Sequence, residues 1–86
     1  MEQAIKKVCD EVAEFLIQKN RAYGNSAEKP VRIFSRMDTI DQIHVRLDDK
    51  LSRIARGSEY QGDDTELDII GYLILKRAIK EKNHGN

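Results

Sequence analysis

Arg46, Asp49, Lys50 and Arg53 recur at i, i+3, i+4 and i+7, so on an α-helix they make one charged stripe. Beside it, Ile40, Ile43, Leu47, Leu51 and Ile54 make an apolar one. The charges therefore adjoin a core seam, where they can be partly covered and still face a cleft. Further along, Asp68 and Tyr72 stand four residues apart next to Leu75 and Ile79, which sets a carboxylate on a largely apolar surface. A charge there needs a partner. Two arrangements supply one. Arg46, Lys50 or Arg53 of a neighbouring antiparallel helix can neutralise Asp68 in a structural salt bridge. Alternatively, Asp48, Asp49, Asp64 and Asp68 form a carboxylate cluster for Mg²⁺, which takes oxygen ligands and keeps several waters, while the bases hold phosphate oxygens.

A second set of groups suits a nucleobase. Asn20, Tyr23, Gly24, Asn25 and Ser26 offer amides and a hydroxyl for edge hydrogen bonds, an aromatic face for stacking, and a glycine where backbone can approach closely. Lys19, Arg21, Lys29 and Arg32 surround this segment and can meet phosphates, or can simply be solvated. The same residues also serve as an ordinary helix stop. His44 and His84 lack metal-ligand spacing with other His or Cys, and the chain has neither a nucleophile motif nor a glycine-rich phosphate loop. Cys9, close to Val12 and Leu16, reads as a small buried hydrophobe.

Three helices position these groups. Ile5, Val8, Val12, Phe15 and Leu16 trace an amphipathic first helix from about Glu2 to Lys19, ended by the polar run through Gly24. A long structured connection follows, with Pro30 holding Lys29 out of helical angles and Val31, Ile33 and Phe34 pinning the segment to the core. Asp38 caps a second helix that runs to about Arg56, where Gly57 stops it. Asp63 or Asp64 caps a third helix, with Glu66 reaching back from about its third position, and this helix continues to about Lys82. A short link makes helices two and three an antiparallel hairpin. The domain spans residues 1–82, with 83–86 a frayed tail.

Eighty-six residues make one small domain with a modest core. Apolar residues nearly encircle the third helix, so we expect the bundle to be completed by homo-oligomerisation, most simply as a dimer. The 15 bases balance the 15 acids, so no overall field draws the chain to duplex nucleic acid or a membrane. Any anion site is local. One cysteine rules out an intrachain disulfide framework, and no apolar run has the length of a membrane span or a signal peptide's core. A cytoplasmic, unprocessed protein is the expectation.

Three motifs in order, Lys19-Asn20-Arg21-Ala22-Tyr23-Gly24-Asn25-Ser26, Arg46-Leu47-Asp48-Asp49-Lys50-Leu51-Ser52-Arg53 and Asp64-Thr65-Glu66-Leu67-Asp68-Ile69-Ile70-Gly71-Tyr72-Leu73, resemble the small phage and bacterial proteins of the nucleotide modification associated domain family. The likeness covers about residues 12–78. More remotely, the third motif is similar to the acidic helix of MazG-like all-α nucleoside triphosphate pyrophosphatases, Mg²⁺-dependent oligomers. That resemblance implies Asp49 and Asp68 as the metal-side catalytic acids, with Asp48 and Asp64 beside them. Thr65 stands where the MazG pattern has its first acid, and Lys50 follows Asp49 where a further acid is expected.

The resemblance implies a phage-type nucleotide-binding protein, in the host cytoplasm if phage-encoded; the residues whose chemistry suits the ligand contacts are Asn20, Tyr23, Gly24, Ser26, Arg46, Lys50, Arg53 and Tyr72. One version is a Mg²⁺-dependent pyrophosphohydrolase. Another is a non-catalytic sponge that sequesters cyclic or ADP-ribose-type signalling nucleotides against host antiviral defence. A third reading is a small protein-interaction module. The shortage of matched acids favours binding over hydrolysis.

Overall fold

The computed structural model describes residues 1–30, 37–58, 62 and 64–84. Its elements are three helices, α1 (Glu2–Ala22), α2 (Thr39–Arg56) and α3 (Thr65–His84). No strand occurs among the described residues, and the expected all-α class holds for them. None of their helices is long and apolar enough to cross a membrane.

Each boundary has a local cause. α1 continues past Lys19 to Ala22 and ends where Gly24 (φ 62) and Asn25 (φ 60) both enter left-handed backbone. The Asn25 amide then donates to the Asn20 carbonyl at 2.9 Å, closing the end of the helix. Asp38 caps α2 as expected, its Oδ2 accepting from the Ile40 amide at 3.1 Å. Gly57 (φ 65) ends α2, with its amide on the Ile54 carbonyl and that of Ser58 on the Arg53 carbonyl, each at 3.0 Å. That double closure is a Schellman motif. Asp64 Oδ1 accepts from the Leu67 amide at 2.9 Å. With Asp64 as the cap, the third helical residue is Leu67, so Glu66 is one position short of the expected capping box. α3 extends to His84, beyond the expected end at Lys82. The Val31, Ile33 and Phe34 anchors, Arg32 and the alternative cap Asp63 lie outside the described residues.

Packing centres on α3, which meets both other helices, while α1 and α2 make no close backbone approach to each other. Lys50, in the later half of α2, faces Asp68 in the first turn of α3, the pairing of an antiparallel hairpin. α1 reaches α3 at Gly71, where an added Cβ would stand 2.9 Å from Leu16 Cδ2. A missing side chain lets the two helices close there.

Little apolar surface is buried. Val12 (8% exposed), Ile43 (2%) and Leu47 (8%) are the buried hydrophobic residues among those described. The expected apolar stripe of α2 is only half covered, because Leu51 and Ile54 are each 53% exposed. Lys50 already pairs with the first turn of α3, so only Thr65, Glu66 and Leu67 of that helix lie beyond this level, and Leu51 and Ile54 stay uncovered. Cys9 is exposed rather than buried, in company with Ile5 and Val8. These residues share a face with Val12, but the first turns of α1 overhang its contact with α3. The Cα radius of gyration, 14.2 Å, exceeds the value of about 12 Å expected for a globule of this length.

Candidate functional site

Between α1 and α2, with α3 as its floor, lies a cavity of about 450 Å³. Its size falls within the range of small-molecule sites. Leu16, Ile43, Gly71 and Leu75 give it an apolar base, and Phe15, Tyr23 and Tyr72 add aromatic rings. Asn20, Ser26 and Gln42 contribute amides and a hydroxyl, while Lys19, Arg46 and Asp68 bring charge. Amphipathic helices place these groups together because Asn20 and Lys19 flank the buried edge of α1, as Gln42 and Arg46 flank that of α2.

Asp68 is the junction. Its Oδ2 lies 3.0 Å from Lys50 Nζ on α2, and its Oδ1 lies 3.8 Å from Lys19 Nζ on α1. Lys50 and Asp68 are largely covered, with side chains 16% and 20% exposed. One carboxylate thus ties all three helices together, as the salt-bridge arrangement requires. Lys19 also sits 5.5 Å from the centre of the Phe15 ring, an additional attraction for its charge. Arg46 has no ion-pair partner among the described residues and lines the same cavity.

Of the ligand-binding residues expected from sequence, Asn20, Tyr23, Ser26, Arg46 and Tyr72 line the cavity, and Lys50 touches it through Asp68. Gly24 and Arg53 are not among its lining residues. A Cβ at Gly24 would meet nothing within 4 Å, so glycine there serves the left-handed backbone rather than close approach. Arg53 turns to Asp49, one turn back on its own helix, at 3.3 Å.

The four carboxylates do not converge. Asp49 pairs with Arg53, Asp64 caps α3, Asp68 is held by two lysines, and exposed Asp48 is rotated about 100° from Asp49 on the helix. No group of three or more His, Cys, Asp or Glu side chains suited to a metal ion occurs among the described residues. Both Asp68 oxygens face ammonium groups. This donor set does not fit the expected Mg²⁺ cluster, which needs several oxygens directed at one point.

Three contributors were missed in the sequence. Gln42 stands one turn before Arg46, and extending the charged stripe backwards finds it. Phe15 sits on the edge of the α1 stripe, where spacing alone marks it as a core residue. Glu28 has no local signal, because its partner Lys82 is 54 residues away, with Nζ 2.6 Å from Glu28 Oε1. Asn25 Nδ2 donates to Glu28 Oε2 at 2.9 Å, and the Thr39 hydroxyl donates to the Glu28 carbonyl at 3.4 Å. The Lys82 hydrogen bond, followed by that of Asn25, holds the Glu28 carboxyl below its ordinary pKa. Glu28 thereby fastens the segment after α1, one wall of the cavity, to the far end of α3 and the start of α2.

Comparison with protein-family models, curated proteins and solved structures finds no match to this chain.

Proposed function

We propose that this protein binds a small phosphorylated nucleotide in the cavity between α1 and α2 and retains it without cleaving it. The observation that carries this reading is that Arg46 and Lys19 share one cavity with Tyr23, Tyr72 and Asn20, while lysines already answer Asp68, the one acid among the described residues that line it. Phosphate oxygens find cationic donors, a base finds an aromatic face, and its edge finds an amide. Retention needs no converging carboxylates. A sponge for cyclic or ADP-ribose-type signalling nucleotides is the role that fits such a site and the phage-type motifs.

The test is incubation of the protein with a panel of nucleotides, with and without Mg²⁺, followed by chromatography of bound and free fractions. Stoichiometric capture, with intact nucleotide released on denaturation, is the expected result. Catalytic turnover would establish the hydrolase in its place, and neither capture nor turnover would remove the nucleotide proposal altogether.

A further inference from the structure

The outer side of α3, turned away from both other helices, carries Glu66, Ile70, Leu73 and Arg77 at spacings of four, three and four residues. This is the repeat of a helix-packing seam. Ile70 is 37% exposed and Leu73 45%, with Ile74 at 41% beside them, so the apolar middle of the seam meets water in the single chain. Glu66 and Arg77 are exposed at its two ends, and neither has an ion-pair partner among the described residues.

We infer that this seam is where a second copy of the same chain docks, with the two α3 helices antiparallel about a two-fold axis between Ile70 and Leu73. The order acid, apolar, apolar, base decides the direction. In a parallel pair, Glu66 would face its own copy, as would Arg77, so like charges meet at both ends. Turning one helix round sets Glu66 against the Arg77 of the other chain at each end, and Ile70 against Leu73 in the middle. The patch is then complementary to itself, as a two-fold interface requires. Sliding the antiparallel pair by four residues would instead set Glu66 against Glu81 and Ile70 against Arg77. A chain with three buried hydrophobic residues among those described has reason to cover this seam. The pairing is independent of what the cavity holds.

Sedimentation equilibrium of the full chain, alone and as charge-reversal variants, tests the inference. The wild-type chain is expected to dimerise at or below about 100 µM. Glu66→Arg and Arg77→Glu should each weaken the dimer roughly ten- to thirtyfold, because the two-fold axis places each reversed charge at both ends. Mixing the two variants should restore association, since every end of the mixed dimer again pairs a base with an acid. Far-UV circular dichroism of each variant checks that α3 remains helical. A wild-type chain that stays monomeric overturns the inference. So do single variants that associate like wild type, or a mixture that associates no better than its components.

Discussion

Lys50 Nζ lies 3.0 Å from Asp68 Oδ2, and this contact joins the charged stripe of α2 to the first turn of α3. Lys19 approaches the other carboxylate oxygen from α1. The acid that sequence alone offers as a metal ligand is thus a three-helix clasp. With its charge answered, Arg46 and the outer part of Lys19 set the sign of the cavity. The consequences separate a binding cavity from a hydrolytic one.

Asp68→Asn removes the clasp but leaves both lysines. Thermal unfolding should show a loss of about 1–2 kcal/mol, since a partly covered ammonium loses its partner. Affinity for an anionic nucleotide, measured by calorimetry on the folded variant, should hold or rise because the cavity gains positive charge. Complete loss of binding in a variant with a wild-type helical spectrum would return Asp68 to the role of ligand contact.

Tyr23 is 65% exposed, so it contributes little to packing. Tyr23→Ala should change stability by no more than about 0.5 kcal/mol, as surface substitutions usually do. Nucleotide affinity should fall by roughly tenfold if the ring stacks on the base. Unchanged affinity means that the base lies elsewhere.

At Gly71 two effects compete. A Cβ would press on Leu16 Cδ2 at 2.9 Å, but that atom ends a flexible side chain and can swing aside. Alanine also improves helix propensity by about 0.5–1 kcal/mol over glycine. Gly71→Ala should therefore stay within about 1 kcal/mol of wild type, whereas Gly71→Leu should cost about 1–3 kcal/mol through overpacking and should widen the cavity. Chemical denaturation of the two variants measures the contrast. Equal losses would show that Leu16 cannot move.

Glu28 gives the fold a pH dependence. Its carboxyl is held below the ordinary value by Lys82 and Asn25, so its contribution is present above the ordinary value and disappears as pH falls through the lowered one. Acid titration followed by NMR of the Asn25 side-chain amide should place the midpoint below that of a free glutamate. Glu28→Gln should remove this titration, and an unshifted midpoint in the wild type would mean that the bond to Lys82 does not persist in solution.

The parts legible in the sequence are those with local causes. Asp38 and Gly57 mark the ends of α2 because a cap and a left-handed stop each depend on hydrogen bonds within a few residues. The flank carrying Arg46 and Lys50 was likewise readable from helical spacing. What periodicity cannot give is where a neighbouring helix begins. Leu51 and Ile54 continue the apolar stripe perfectly well, yet near the end of the hairpin they remain exposed. Cys9 fails for the same reason at the overhanging end of α1. Spacing also leaves open which charge meets which. The resemblance sets Asp49 and Asp68 on one metal ion, whereas one pairs within its own helix and the other across three.

The seat of Leu16 at Gly71 has a dynamic consequence. α1 makes no close backbone approach to α2 and is held to the hairpin at Gly71 and through the Lys19–Asp68 pair. With fewer contacts than the hairpin has, α1 should show faster amide opening in hydrogen exchange than α2 and α3. Any occupant bridging Lys19 and Arg46 would lock α1 in place, slowing its exchange without adding a single helical residue.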